Sequence, residues 1–254
     1  MGNYDSTPIA KSDRIKRLVD HLYAKMPEIE AARAELITES FKATEGQPVV
    51  MRKARAFEHI LKNLPIIIRP EELIVGSTTI APRGCQTYPE FSYEWLEAEF
   101  ETVETRSADP FYISEETKKR LLAADAYWKG KTTSELATSY MAPETLRAMK
   151  HNFFTPGNYF YNGVGHVTVQ YETVLAIGLN VVKEKVRKEM ENCHFGDADY
   201  STKMCFLESI LISCDAVITY ANRYAKMAEE MAEKETDAAR RQELLTIARV
   251  CKNV

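Results

Sequence analysis

The chain has 254 residues, enough to bury a sizeable core as one large domain or two small ones. Its hydrophobic share of 45% and charged share of 28% are those of an ordinary globular protein and exclude a disordered chain. The 33 Lys and Arg against 37 acidic residues leave a net charge of −4, and with no basic stripe this argues against nucleic acid or an anionic membrane as partner.

Helical periodicity starts at Ser12, an N-cap, with Ile15, Leu18, Val19, Leu22 and Tyr23 at three- and four-residue spacing; Pro27 ends it. A second helix is predicted over residues 30–41, with Ala34, Ile37 and Phe41 inward and Gly46 as its stop. A third, residues 50–64, turns Ala54, Phe57, Ile60 and Leu61 inward and ends before Pro65. Residues 66–68 and 73–75 are apolar runs rich in β-branched side chains between turn residues, and read as strands or buried extended segments. Breakers at Pro82, Gly84 and Pro89 make residues 81–91 a loop, packed on the body through Tyr88 and Phe91. Helices follow over residues 93–106, 114–128, around Ser134, and 143–151. Glu115 and Glu116 complement the dipole of the second of these.

The helical writing then breaks at Pro156-Gly157-Asn158-Tyr159-Phe160-Tyr161-Asn162-Gly163-Val164-Gly165-His166, followed by the apolar run from Val167 to Val169. One histidine among three aromatics and two amides is the composition of a loop facing a pocket for a small polar molecule. Three long helices close the chain at residues 171–190, 202–234 and 237–252. Ile210, Cys214, Val217, Ala221 and Tyr224 form an apolar stripe in the middle one, and Ala225, Ala228 and Ala232 suit close helix packing. The expected fold class is mostly α with a few short strands, with no internal boundary over residues 1–254. The sequence stops directly after an amphipathic run, which reads as a piece of a longer polypeptide. The polar residues 1–13 lack the apolar core of a signal peptide, and no stretch reads as apolar enough to span a bilayer. Five cysteines without CxxC pairing read as reduced cytoplasmic thiols.

His166 is the most suggestive side chain, because an imidazole titrates near neutrality and flanking glycines let a small molecule approach the backbone. The plain alternative is a histidine hydrogen-bonded into its own loop. His21 and His59 lie within helices, and His151 and His194 near helix ends, where a dipole interaction suffices. No ligands occur at metal-binding spacing, and Gly163-Val164-Gly165 lacks the third glycine and acidic residue of a dinucleotide fingerprint. Cys85 beside Gly84 has only Arg83 as a basic neighbour, so it reads as a packed thiol, and Cys205, Cys214 and Cys251 read as core. Residues alone yield a helical unit with a polar pocket near His166, and no reaction.

Three stretches, Arg33 through Pro48, Glu71-Glu72-Leu73-Ile74-Val75-Gly76 and Tyr88-Pro89-Glu90-Phe91, resemble in order the amino-terminal region of glycyl radical enzymes, the pyruvate formate-lyase-like superfamily. Tyr127-Trp128-Lys129-Gly130-Lys131-Thr132-Thr133, Ser139-Tyr140-Met141 and the run from Gly157 to Val167 narrow the match and resemble the coenzyme-B12-independent diol dehydratases acting on glycerol or propane-1,2-diol. The resemblance implies an anaerobic carbon–oxygen lyase whose amino-terminal part is this chain, within a ten-stranded α/β barrel fold. It implies a substrate-contacting, catalytic His166 and, as a second pocket residue, Asn158. It further implies a glycyl radical and a thiyl cysteine outside this chain, so the 254 residues alone are expected to be inactive. The implied partners are a small diol, a radical S-adenosylmethionine activase and a second copy in a homodimer, with no cofactor bound by this chain and no coenzyme B12. The implied location is the cytoplasm or a bacterial microcompartment. The readings held beside it are another glycyl radical enzyme, formate acetyltransferase-like or a C–N lyase, and a stand-alone helical assembly module.

Overall fold

The computed structural model describes residues 12–154 and 167–254. Helix α1 (Asp13–Tyr23) opens as expected, with the Ser12 hydroxyl accepting the Ile15 N–H. None of its residues is buried. Ion pairs hold it instead: Arg14 and Arg17 both reach Glu71, and Arg14 also reaches Glu243.

The first departure from the sequence reading follows. Residues Glu28–Glu30 form strand β1, so the second helix, α2 (Ala32–Ala43), starts after them. Strand β1 pairs in parallel with β2 (Gly84–Gln86), Ile29 opposite Cys85. These are the two strands among the described residues. On its other side the Ile29 N–H donates to the Tyr112 carbonyl, and the Tyr112 N–H donates to the carbonyl of Pro27, just before the strand. Gly84 is required at the junction, because a Cβ there would run into Thr79 and the Glu30 carboxylate. That carboxylate accepts the backbone N–H groups of Ile80 and Ala81 at 3.1 and 2.7 Å, fixing the approach to β2.

The runs 66–68 and 73–75 form no strands. Ile68 is buried and Ile66 and Val75 are half-buried, whereas Ile74 projects into solvent at 91% exposure. Helix α3 (Val49–Asn63) buries Ala54, Ala56 and Leu61, with Ile60 half-buried; Phe57 is on the exposed side, contrary to expectation. Arg69, only 6% exposed, organises the loop between α3 and β2. Its guanidinium donates to Glu72, to the Ser77 hydroxyl and to the carbonyls of Thr79, Ile80 and Ala81. Five acceptors around one delocalised cation replace a sheet as the means of ordering this stretch.

The helix expected over 93–106 is only the single turn α4 (Glu94–Glu97) and a 3₁₀ turn at Val103–Thr105. Two bonds from outside end it: the Phe111 N–H reaches the Val103 carbonyl at 3.1 Å, and the Ile113 N–H reaches the Glu104 carboxylate at 3.2 Å. Helix α5 (Glu115–Trp128) is capped by Ser114, and α6 (Thr133–Ser139) by a Thr132–Glu135 capping box. Helix α7 (Pro143–Lys150) buries nothing.

The carboxy-terminal half contains α8 (Tyr171–Glu191), α9 (Tyr200–Lys234) and α10 (Ala238–Lys252). Helix α8 is broken at Gly178, whose φ of 71° no other residue adopts without strain. Residues 167–170 are exposed and irregular, so the Val167 to Val169 run is no strand. Helix α9 packs on α3, α8 and α10. The alanine spacing works as expected: Ala225, Ala228 and Ala232 are 1%, 0% and 2% exposed, letting α10 approach closely. Contrary to the sequence reading, α9 is long and apolar enough by composition to cross a membrane. Only 22% of that apolar window is buried; farther along, Tyr224, Ala228 and Ala232 form one cluster with Ile68, Leu244, Ile247 and Ala248. A second cluster joins Ile29, Ala34, Leu96, Val103, Ile113, Leu121 and Ala124, and a third joins Ile37, Phe41, Ala56 and Trp128.

Candidate active site

His166 and Asn158, the two residues assigned to substrate, lie outside the described residues, as do Pro156 to Gly165. The described chain supplies the ground on either side. Before them, α7 ends at a left-handed Asn152 (φ 55°), and Phe153 and Phe154 are 81% and 45% exposed. After them, Val167, Val169, Tyr171 and Leu175 are also exposed, at 73%, 53%, 65% and 85%. Both flanks therefore present exposed apolar side chains.

The motif-bearing loop 87–91 is held from α2. The Arg33 guanidinium lies 3.8 Å from the Tyr88 ring centroid, pairs with Glu90 and donates to the Thr87 carbonyl. Both Arg33 and Glu90 side chains are largely buried, so the pair is a structural clamp rather than a free binding group. The loop in turn docks α6, through the Thr133 and Ser134 N–H groups on the Glu90 and Phe91 carbonyls.

Three of the five thiols are made unreactive by their environment. Burial pushes Cys85 up, and the same cause leads at Cys214 and Cys251. A raised pKa keeps the thiol protonated, the opposite of what a nucleophile needs. Cys85 and Cys251 pack against core clusters and Cys214 is buried, whereas Cys205, expected in the core, is only half-buried. His59 leaves its helix to meet Glu39 at 2.9 Å on the surface. Among the described residues no group of three His, Cys, Asp or Glu is arranged to hold a metal.

Two buried charged residues escaped the sequence reading. Arg69 sits in the Arg69-Pro70-Glu71-Glu72 run, where the Arg–Glu spacing of three residues was the available signal. Asp125 occupies the inward face of α5 and is 4% exposed. Its signal was a carboxyl falling in step with Leu121, Ala124 and Trp128.

Comparison with known proteins gives this arrangement a setting. Residues 7–254 match the family described as pyruvate formate lyase-like. The glycerol-bound form of the B12-independent glycerol dehydratase from Clostridium butyricum superimposes with a TM-score of 0.92 at 49% identity. The match covers 98% of this chain and 32% of that one. A glycyl radical enzyme from Archaeoglobus fulgidus gives a TM-score of 0.87 at 33% identity, covering 95% of this chain and 31% of that one. The (2S)-3-sulfopropanediol dehydratase of Klebsiella oxytoca is 32% identical over 246 residues, which is 95% of this chain and 30% of that protein. The chain thus spans less than a third of the length of these relatives.

Proposed function

We propose that this chain, which belongs to the pyruvate formate lyase-like family, is the amino-terminal part of a glycyl radical diol dehydratase. The complete protein removes water from glycerol or propane-1,2-diol and leaves an aldehyde. The observation that carries this reading is the 49% identity, over 98% of the chain, to the B12-independent glycerol dehydratase, well above its identity to the sulfopropanediol dehydratase. Residues 1–254 are read as one continuous part of a single domain.

The radical glycine and the thiyl cysteine would be supplied by residues beyond these 254, and their chemistry is abstraction of a hydrogen atom from the hydroxylated carbon. Cys85, Cys214 and Cys251 do not fit that role, since they are packed thiols with raised pKa values. This chain's own contribution is His166, aided by Asn158. Hydroxide is a poor leaving group, so the neighbouring hydroxyl must receive a hydrogen ion as its bond to carbon breaks. An imidazole with a pKa of about 6.5 carries that ion in roughly a quarter of molecules at pH 7 and releases it without a large penalty. Asn158 orients the diol through its amide. The complete protein works without coenzyme B12, is charged with its radical by a radical S-adenosylmethionine activase, and acts as a homodimer in the cytoplasm or a microcompartment.

The test is anaerobic turnover by the intact, activated polypeptide. Aldehyde formation from glycerol or propane-1,2-diol is expected. Turnover restricted to sulfonated, amino or acyl substrates, with neither diol consumed, would replace this reading with another member of the family.

A further inference from the structure

The loop from Leu73 to Gly76 stands across from α9 and α10 and leaves a groove of about 560 Å³ between them. Leu73, Ile74, Val217, Val250 and Val254 are among its apolar walls, and all of these except Val217 are exposed. Apolar side chains gathered on one such groove mark a contact site, unlike the same residues scattered singly over a surface.

The polar groups in the walls are engaged within the protein. The Tyr220 and Tyr224 hydroxyls both donate to the Ser77 carbonyl, at 2.9 and 2.8 Å. Glu243 pairs with Arg14 and Arg240, and the Thr246 hydroxyl donates to the Gln242 carbonyl. Among the described residues the Gln242 amide is the one hydroxyl, carboxyl or amide side chain of the wall without such a bond. A small ligand is oriented by several convergent polar groups, which this groove does not offer. It suits the apolar side chains of a polypeptide instead.

We infer, on the reading of this chain as an amino-terminal part, that the groove seats the residues directly following Val254 in the complete protein. The matched region is 32% of the glycerol dehydratase chain and 30% of the sulfopropanediol dehydratase, so most of each relative has no counterpart here. Helix α10 runs to Lys252, and the Asn253 N–H turns back to the Val250 carbonyl at 3.1 Å, with Val254 already in the groove wall. A continuing backbone therefore departs from the groove itself. There it covers Ile74 and obstructs a second copy from settling on the same walls.

The test places a photoreactive benzophenone amino acid at Ile74 of the intact polypeptide. Irradiation should join it to a residue within about ten positions after Val254, a reach of up to ~35 Å when extended, and the product should migrate as a single chain on a denaturing gel. Joining to a second copy, to more distant residues alone, or to nothing overturns the inference. If the bulky probe prevents folding, Ile74→Cys carries the test, read by peptide-resolved alkylation. Labelling slower than in denatured protein, and unaffected by dilution, is expected. Labelling at the denatured rate, or protection lost on dilution, overturns it equally. Neither readout uses turnover, so failure here leaves the diol assay to judge the proposed activity separately.

Discussion

Trp128 donates its indole N–H to the Thr38 hydroxyl at 2.8 Å, and Thr38 passes its own proton to the Ala34 carbonyl at 2.6 Å. Both side chains are 3% exposed, so this relay between α5 and α2 has no water to replace a lost partner. Thr38→Val keeps the shape and removes the acceptor, stranding a buried N–H at a cost of about 1–3 kcal/mol. Urea denaturation should show that loss, and Thr38→Ser should recover most of it. A Val variant as stable as the wild type would mean that the relay is incidental.

Arg223 of α9 ends α3 from outside, donating to the Leu61 and Leu64 carbonyls at 2.6 and 2.7 Å. Helix α3 has no glycine at its end, and Leu64 there is 1% exposed, so these carbonyls depend on the guanidinium. Arg223→Ala should cost at least about 1.5 kcal/mol, the lower end for hydrogen bonds to a charged group. Exchange at residues 60–66 should accelerate more than exchange in α2. Uniform acceleration along the chain would contradict the assignment.

Helix α1 buries no residue outright, and its arginines carry the ion pairs to Glu71 and Glu243. Hydrogen bonding by Arg17, followed by the fields of Arg17, Arg14 and Arg240, holds the Glu71 carboxyl below its usual value, and bonds from Arg14 and Arg240 do the same for Glu243. Folded values below the unfolded ones mean that this contribution is full above the ordinary carboxylate range and is lost as pH falls through the folded values. Exchange across residues 13–23 should therefore rise in acid. It should also rise at about 1 M salt, where the screening length drops to roughly 3 Å. Protection that ignores salt would show that the apolar face of α1, not its arginines, holds it.

These relationships mark what the sequence could and could not say. Helices α2, α3, α5, α9 and α10 were legible because their apolar spacing is long enough to define a face, and Ala225, Ala228 and Ala232 announced a close crossing. Strand β1 was not, since Glu28-Ile29-Glu30 is three residues long and abuts a helix start. Leu96, Phe100 and Val103 mimic a helical face, yet the Phe111 and Ile113 amides claim acceptors at Val103 and Glu104 and turn the chain. The isoleucines at 66–68 are apolar for a core contact with α9 and not for a sheet. At the site, composition singled out His166 and its neighbours, but only resemblance to a family attached a reaction to them.

The most direct measurement is the turnover number of the intact, activated polypeptide carrying His166→Ala, with radical content quantified so that activation and chemistry are separated. Loss of the proton donor should lower kcat for glycerol and propane-1,2-diol by about 10²–10⁴-fold at unchanged radical yield. A variant that turns over either diol at the wild-type rate would contradict the role given to this histidine.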